Sequence, residues 1–171
     1  MKKKKIILIV TRLFFNKGVQ DILDALKGMD LGEWKVEIVG DGPYRDELKQ
    51  KAGENGLDTT VTFHGWVDND SLKMKKMYGT ATIFISASYF ESFGLTILEA
   101  VSAGCYPLVS DIGGHRSILK DDKYFFEKEN VDDLRKKLYH VIHHKVTGSK
   151  ISLEQFDWNH VIQDYISLLQ C

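Results

Sequence analysis

Two glutamates, Glu91 and Glu99, flank a short segment that predicts the start of a helix, and they are the clearest chemical signal in the sequence. Gly94 between them allows a ligand to approach the backbone closely, and the amides of Leu95 and Thr96 at a helix N-terminus suit an anion. Ionised carboxylates accept hydrogen bonds from hydroxyl groups, so the same loop also suits a sugar ring. A nucleotide sugar carries both kinds of group.

Two basic residues strengthen this hypothesis. Arg12 directly follows the first predicted strand and Lys17 precedes the next helix, so we expect both at the sheet edge that also holds Glu91. A planar guanidinium and a compact ammonium group would together neutralise a diphosphate. Taken alone, both residues are equally well explained as ordinary surface charges, and the functional interpretation depends on their convergence with the glutamates.

Apolar strands alternate with helical segments along the chain and must position these side chains. The predicted strands are Lys4–Val10, Trp34–Val39, Val61–His64, Ala81–Ile85, Tyr106–Ser110 and Tyr124–Phe126. The predicted helices are Gly18–Leu26, Tyr44–Asn55, Ser71–Tyr78, Thr96–Ala103, Gly114–Leu119 and Val131–His144, and a last helix follows from about Asn159. This alternation predicts an α/β fold, a single Rossmann-like domain whose mostly parallel sheet carries helices on both faces.

Length and composition restrict the number of domains, the kinds of partner and the location that we expect. A chain of 171 residues, 43% of them hydrophobic, can bury one substantial core and predicts one domain. With 23 basic and 24 acidic residues, the net charge of -1 argues against nucleic acid as a partner. Two cysteines without metal-ligand spacing, and no apolar run long enough for export or membrane insertion, predict a cytoplasmic protein.

Five segments, taken as a set, resemble the C-terminal, donor-binding half of retaining GT-B glycosyltransferases of the family-four (glycogen-synthase-like) group. The segments are Arg12-Leu13 with Lys17-Gly18, Gly40-Asp41-Gly42-Pro43, Val61-Thr62-Phe63-His64-Gly65, the run from Glu91 to Ala100, and Phe156-Asp157-Trp158. The likeness covers almost the whole chain. It implies that residues 1–171 form the nucleotide-sugar-binding domain of a metal-independent hexosyltransferase, with functions such as surface-polysaccharide synthesis.

The resemblance implies a role for each charged residue. Arg12 and Lys17 would clamp the donor diphosphate in place of a metal ion, and Glu91 would contact the transferred sugar. These three are the expected catalytic residues, and neither a cofactor nor a metal is expected beyond the UDP- or GDP-linked substrate.

The resemblance also implies a set of donor-binding residues, in which Glu99 would accept hydrogen bonds from both ribose hydroxyls. The full set is Trp66, Val67, Phe93, Gly94, Leu95, Thr96 and Glu99. Two interpretations of Trp66 stay open from the sequence, because an aromatic at this place serves equally well as a core residue beside Phe63.

One loop departs from the family pattern, and one domain is expected elsewhere. Gly113-Gly114-His115-Arg116-Ser117 stands where Gly-Gly-x-Pro-Glu is common in the family. GT-B enzymes bind the donor between two Rossmann-like domains, so we expect this chain to be an excised domain or one part of a two-chain enzyme. Its partner would be an N-terminal acceptor domain, and peripheral membrane contact, at the inner face, would come only through the full enzyme.

Several competing patterns have simpler interpretations. Asp68-Asn69-Asp70 matches a metal-binding D-x-D motif of another glycosyltransferase fold, but its place before a helix favours capping. His140 and His144 are spaced for a metal yet lack a third ligand. Arg45 stands where a dinucleotide fingerprint starting at Gly40 needs a third glycine.

Three other functional classes share part of this pattern of residues. A glycoside hydrolase also uses two carboxylates, but it has no diphosphate for the two cations to neutralise. A non-catalytic nucleotide-sugar binding or assembly module and an NDP-sugar epimerase-like domain remain as alternatives.

Overall fold

The computed structural model describes residues 1–144 and 146, so the predicted last helix and the Phe156-Asp157-Trp158 segment lie outside the described residues. The strands are β1 Lys4–Val10, β2 Lys35–Val39, β3 Val61–Phe63, β4 Ala81–Ser86, β5 Tyr106–Ser110 and β6 Phe125–Phe126. They form one sheet in the order β3-β2-β1-β4-β5-β6, and every neighbouring pair is parallel. The predicted parallel sheet is confirmed.

Helices join successive strands and cover both faces of the sheet. They are α1 Val19–Leu26, α2 Arg45–Glu54, α3 Leu72–Thr80, α4 Leu95–Ser102, α5 Gly113–Arg116 and α6 Val131–His143, with short 3-10 turns at Phe15–Lys17 and Asp122–Tyr124. Helix α1 contacts α2 and α6, whereas α3 contacts α4. This arrangement agrees with the layered α/β architecture expected from the alternation of elements.

The buried side chains follow the predicted periodicities. In β1 the consecutive residues Ile7, Leu8 and Ile9 are all buried, as expected for a parallel strand with helices on both faces. Helix α1 buries Val19, Ile22, Leu23 and Leu26, which the helical spacing of these apolar residues in the sequence predicts to form its inward face. None of the described helices has the length and apolarity needed to cross a membrane.

Two predicted elements are shorter than expected. The predicted helix Gly114–Leu119 ends at Arg116, because the amides of Ile118 and Leu119 both bond to the carbonyl of His115 and close the helix. Tyr124 belongs to a 3-10 turn, not to the last strand, because the Asp121 side chain accepts a hydrogen bond from the amide of Lys123 and caps that turn. The other boundaries of the described elements match the prediction to within two residues.

Candidate functional site

The order in which the chain adds strands to the sheet reverses between the two central strands, β1 and β4. Strand β1 leads toward β2 on one side and β4 leads toward β5 on the other, so a crevice opens beyond the carboxyl ends of β1 and β4. Arg12 and Lys17 lie in the loop after β1, and Glu91 and Gly94 lie in the loop after β4. Strand order therefore brings two loops together that are far apart in sequence.

The two loops are in direct backbone contact. Gly18 has a φ of 65°, and a Cβ built on it would lie 2.0 Å from the carbonyl oxygen of Ala87, so only glycine fits where α1 begins. The amide of Tyr89 donates to the carbonyl of Asn16 at 2.9 Å. This close approach fixes Lys17 opposite the loop that carries Glu91.

Lys17 and Glu91 form an ion pair across the crevice. The Lys17 ammonium lies 2.6 Å from Oε1 of Glu91, with side-chain exposures of only 12% and 25%. The hydroxyl of Ser88 donates to the same oxygen at 2.9 Å. An ammonium group has three donors, so Lys17 can hold Glu91 and still donate to an anion. The expected convergence of these two residues is observed.

Arg12 lies at the same edge, but its side chain is exposed to solvent and stacks over the ring of Phe14 at 5.5 Å. Its backbone is held firmly, since the neighbouring amides of Thr11 and Leu13 donate to the carbonyls of Val39 and Asp41. Within the described part of the chain, no hydrogen bond or ion pair joins the guanidinium to Lys17 or either glutamate. Arg12 therefore has a fixed base and a side chain available for a ligand.

Helix α4 starts at this crevice. Gly94 precedes it with a φ of 111°, and the first amide to find a backbone acceptor is that of Ile97, which bonds to the Gly94 carbonyl at 2.9 Å. The amides of Leu95 and Thr96 find no acceptor among the described residues. Phe93, one residue before Gly94, is partly buried against the core. The helix N-terminus therefore presents two donors and a positive dipole end to the crevice.

Glu99 lies one turn further along α4 and lines a separate groove of about 550 Å³ between α3 and α4. Its Oε2 atom accepts a hydrogen bond from the hydroxyl of Tyr78 at 2.6 Å. Tyr78, Leu95 and Lys75 line the same groove. Because Leu95 is the first residue of α4, the groove begins at the N-terminus of that helix.

Trp66 and Val67 follow β3 and differ in environment. Trp66 is 74% exposed, which rules out the alternative of a core aromatic, whereas Val67 is buried. The carbonyl of Gly65 accepts the Gly40 amide at 2.8 Å, so the loop is tied to the turn after β2. Asn69, later in the same loop, lines the groove beside Glu99, but Trp66 is not among the groove residues found in the described chain.

A buried histidine, which no pattern in the sequence marks as functional, supports the Glu91 loop. The His115 ring is fully buried, and its Nδ1 donates to the carbonyl of Ser110 at 2.8 Å. Burial lowers the pKa of His115, so the ring is neutral. A Cβ on the preceding Gly114 would lie 2.1 Å from the Glu91 carbonyl oxygen, which shows how tightly α5 packs on this loop.

The sequence contained only weak signals for the supporting residues. His115 stands in the loop that departs from the family pattern, so that departure marked the place but not the role. Tyr78 carries no local signal, because an aromatic on the inner face of a helix is usually a core residue.

The motifs interpreted as capping or surface features carry no metal site within residues 1–144 and 146. The cap of α3 is Ser71, whose hydroxyl accepts the Met74 amide at 3.1 Å, while Asp68 stabilises the turn before it through the Asp70 amide. The expectation that Asp or Asn caps this helix is therefore wrong in detail. The rings of His140 and His144 stack at 4.1 Å.

Comparison with known proteins identifies relatives of this domain. The chain is 36% identical over 120 residues to a glycosyltransferase of Methanocaldococcus jannaschii, covering 70% of this chain and 30% of the relative. It is 32% identical over 121 residues to the lipopolysaccharide 1,6-galactosyltransferase of Salmonella typhimurium, covering 69% and 33%. The chain thus spans about a third of the length of these relatives.

Solved structures share the same fold. A lipopolysaccharide outer core galactosyltransferase superposes with a TM-score of 0.71 at 31% identity, covering 80% of this chain and 40% of the other. S. aureus TarM superposes with a TM-score of 0.81 at 19% identity, covering 100% and 36%. The family model for glycosyl transferases group 1 matches residues 1–155. The chain therefore belongs to the glycosyl transferases group 1 family, of which it has the C-terminal Rossmann-like domain of the GT-B fold.

Proposed function

We propose that this domain binds the nucleotide-sugar donor of a retaining, metal-independent glycosyltransferase, and that Lys17, Arg12 and Glu91 take part in the transfer. The observation that carries the proposal is the Lys17–Glu91 ion pair at 2.6 Å. It lies beyond the carboxyl ends of β1 and β4, between which the strand order reverses. The pair holds a cation and a carboxylate side by side, and in the proposed complex the cation would contact the diphosphate and the carboxylate a sugar hydroxyl.

The groups that face the crevice match the parts of such a donor. The diphosphate would lie at the N-terminus of α4, where the amides of Leu95 and Thr96 have no backbone acceptor among the described residues and the helix dipole favours negative charge. Arg12 would reach the same phosphates from the loop after β1. The nucleoside would then continue along the groove to Glu99, whose carboxylate would accept hydrogen bonds from the ribose hydroxyls.

This arrangement would also favour transfer. When the glycosidic bond breaks, negative charge grows on the diphosphate that leaves, and positive charge develops on the sugar. Cations already fixed beside the phosphates stabilise that state without reorganisation, which is commonly worth about 3 to 4 kcal/mol per donor. Glu91 would face the sugar with its second oxygen, since its first is occupied by Lys17 and Ser88.

Uridine diphosphate is the first nucleotide to test. Structures of S. aureus TarM and of Anabaena HepE contain UDP or UDP-glucose, and both share the fold of this chain at 19% and 22% identity. Likeness at that level supports the fold, so the case for this chain depends on its own residues. The acceptor, the sugar and a role in polysaccharide or lipid glycosylation belong to the whole protein and remain predictions, as does a cytoplasmic location.

Ligand-induced thermal stabilisation tests the proposal. Purified chain is heated with UDP, GDP, ADP and their sugar conjugates, each in buffer with EDTA and in buffer with magnesium. A ligand at 100 times its Kd adds about 2.7 kcal/mol, which raises the Tm of a domain of this size by about 5 to 10 °C. We expect stabilisation by at least one nucleoside diphosphate, equal with and without the metal.

Matched variants locate the binding site. Glu99→Gln should reduce the Tm increase, whereas Glu47→Gln, an exposed glutamate of α2, should not change it. If no nucleotide in the panel raises the Tm of the chain, the proposal is contradicted. Binding by this chain without transfer, even after addition of the N-terminal part of the whole protein, would favour the alternative of a non-catalytic module.

A further inference from the structure

Helix α3 contributes one buried polar group to the groove beside Glu99. Tyr78 is only 6% exposed, and its hydroxyl donates to Oε2 of Glu99 at 2.6 Å. Both residues line the groove of about 550 Å³ between α3 and α4. The bond joins α3 to α4 through two residues that are 21 positions apart in sequence.

The tyrosine itself is held in place from two directions. Its ring lies against Phe84 of β4 with ring centres 6.2 Å apart. Its backbone carbonyl accepts hydrogen bonds from the Lys3 ammonium at 3.2 Å and from the Cys105 thiol at 3.3 Å. A donor anchored in this way holds its acceptor in one orientation, because neither the ring nor the helix end is free to move away.

The charge states of the pair make the bond one-directional. Burial raises the pKa of Tyr78, and the hydrogen bond to the neighbouring carboxylate raises it further. The phenol therefore stays protonated and always donates. A carboxylate has two oxygens that accept, so one of them remains for another donor, and no protein donor to Oε1 is found among the described residues.

We propose that Tyr78 is a positioning residue of the groove: it fixes one oxygen of Glu99 so that the other faces a vicinal diol, as in a ribose. This inference depends on the proposed function, which places a nucleoside in the groove. Without the tyrosine, the Glu99 side chain would rotate among several conformations, and each diol-binding event would first have to order it.

A purely structural role makes a different prediction. If the bond only joins α3 to α4, its loss lowers the stability of the protein but affects all ligands of the groove equally. If the bond orients Glu99 for a diol, its loss weakens only ligands that have the diol. The distinction requires two ligands that differ in nothing else.

Isothermal titration calorimetry on the chain provides that comparison. The ligands are the nucleoside diphosphate that binds tightest among UDP, GDP and ADP, and its 2′,3′-dideoxy counterpart. The proteins are the wild type, Tyr78→Phe, and Tyr106→Phe as a matched control. Tyr106 is also buried, and its hydroxyl donates to the Lys123 carbonyl at 3.1 Å, away from the groove.

We expect Tyr78→Phe to raise the Kd of the natural diphosphate by about 5- to 10-fold, which lies within the range for loss of one ordinary intramolecular hydrogen bond. The Kd of the dideoxy compound should stay within about twofold, and Tyr106→Phe should change neither value. Equal weakening of both ligands by Tyr78→Phe, or no weakening of either, would overturn the inference.

The wild type separates this result from failure of the proposed function. If it binds no nucleoside diphosphate, or binds the diol and dideoxy compounds equally well, the placement of the nucleoside at Glu99 is wrong, and the inference fails with it. If the wild type prefers the diol and Tyr78→Phe keeps that preference undiminished, only the role of Tyr78 is refuted.

Discussion

Removal of the Lys17 ammonium is the most direct test of how the two crevice loops are joined. Lys17→Met keeps most of the apolar stem and deletes the charge that lies 2.6 Å from Glu91. Among the described residues, Glu91 would then keep only the hydrogen bond from Ser88 as compensation for its partial burial. The substitution should therefore destabilise the protein even though no apolar contact is lost.

The expected size follows from the exposure of the pair. Exposed ion pairs contribute about 0 to 1 kcal/mol, and loss of one partner from a buried pair costs about 3 to 5 kcal/mol. With side-chain exposures of 12% and 25%, this pair lies between those cases, and we expect a loss of about 2 kcal/mol. For a domain of this size that corresponds to a decrease in Tm of about 4 to 8 °C.

Urea unfolding monitored by circular dichroism measures the free energy directly, and a double-mutant cycle isolates the pair. Lys17→Met, Glu91→Gln and the double variant should show a coupling energy of at least about 1 kcal/mol. Lys49→Met, an exposed lysine of α2, serves as the matched control and should be neutral. Additive effects of the two single substitutions would show that the pair does not join the loops, and the proposed site would lose its geometric basis.

Three further predictions concern charge, backbone and pH. Arg12→Ala should leave Tm within about 1 °C, because the side chain is exposed and lies over the Phe14 ring, yet it should cut turnover of the complete enzyme about 100-fold. Near-normal turnover would remove Arg12 from the mechanism. Gly18→Ala should lower the free energy of unfolding, measured in urea, by at least about 2 kcal/mol more than Gly28→Ala, because Gly28 has a similar φ but no neighbouring atom in its way. Equal losses would show that the close contact between Gly18 and the Ala87 carbonyl is unimportant. Because the pKa of His115 is lowered on folding, the unfolded chain binds a proton first as the pH falls below about 6.5, so the free energy of unfolding should decrease there. His115→Gln should flatten this dependence of stability on pH by up to about 1.4 kcal/mol per pH unit. An equal effect of His143→Gln, at an exposed position, would refute the assignment.

Features that depend on local apolar periodicity can be predicted from the sequence, whereas features that depend on hydrogen bonds between particular atoms cannot. The boundaries of β1 and β5 and the inward face of α1 were predicted as observed, because they depend on apolar periodicity over a few neighbouring residues. The sequence also indicates that Lys17 and Glu91 lie at the same edge of the sheet, since in a parallel α/β sheet every carboxyl end lies on one edge. The shortened α5 was missed, because its end depends on hydrogen bonds to the His115 carbonyl that no periodicity reveals.

By itself, the sequence determined the α/β class, the parallel sheet and the edge at which ligand-binding groups must lie, because these follow from local hydrophobic pattern and from chain order. Only the tertiary structure decided which of those groups meet. Lys17 and Glu91 are 74 residues apart, and they touch because β1 lies beside β4 in the sheet. The bond between Tyr78 and Glu99 likewise needs α3 to pack on α4. Such contacts are set by the packing of whole elements, and a side chain carries no local record of its distant partner.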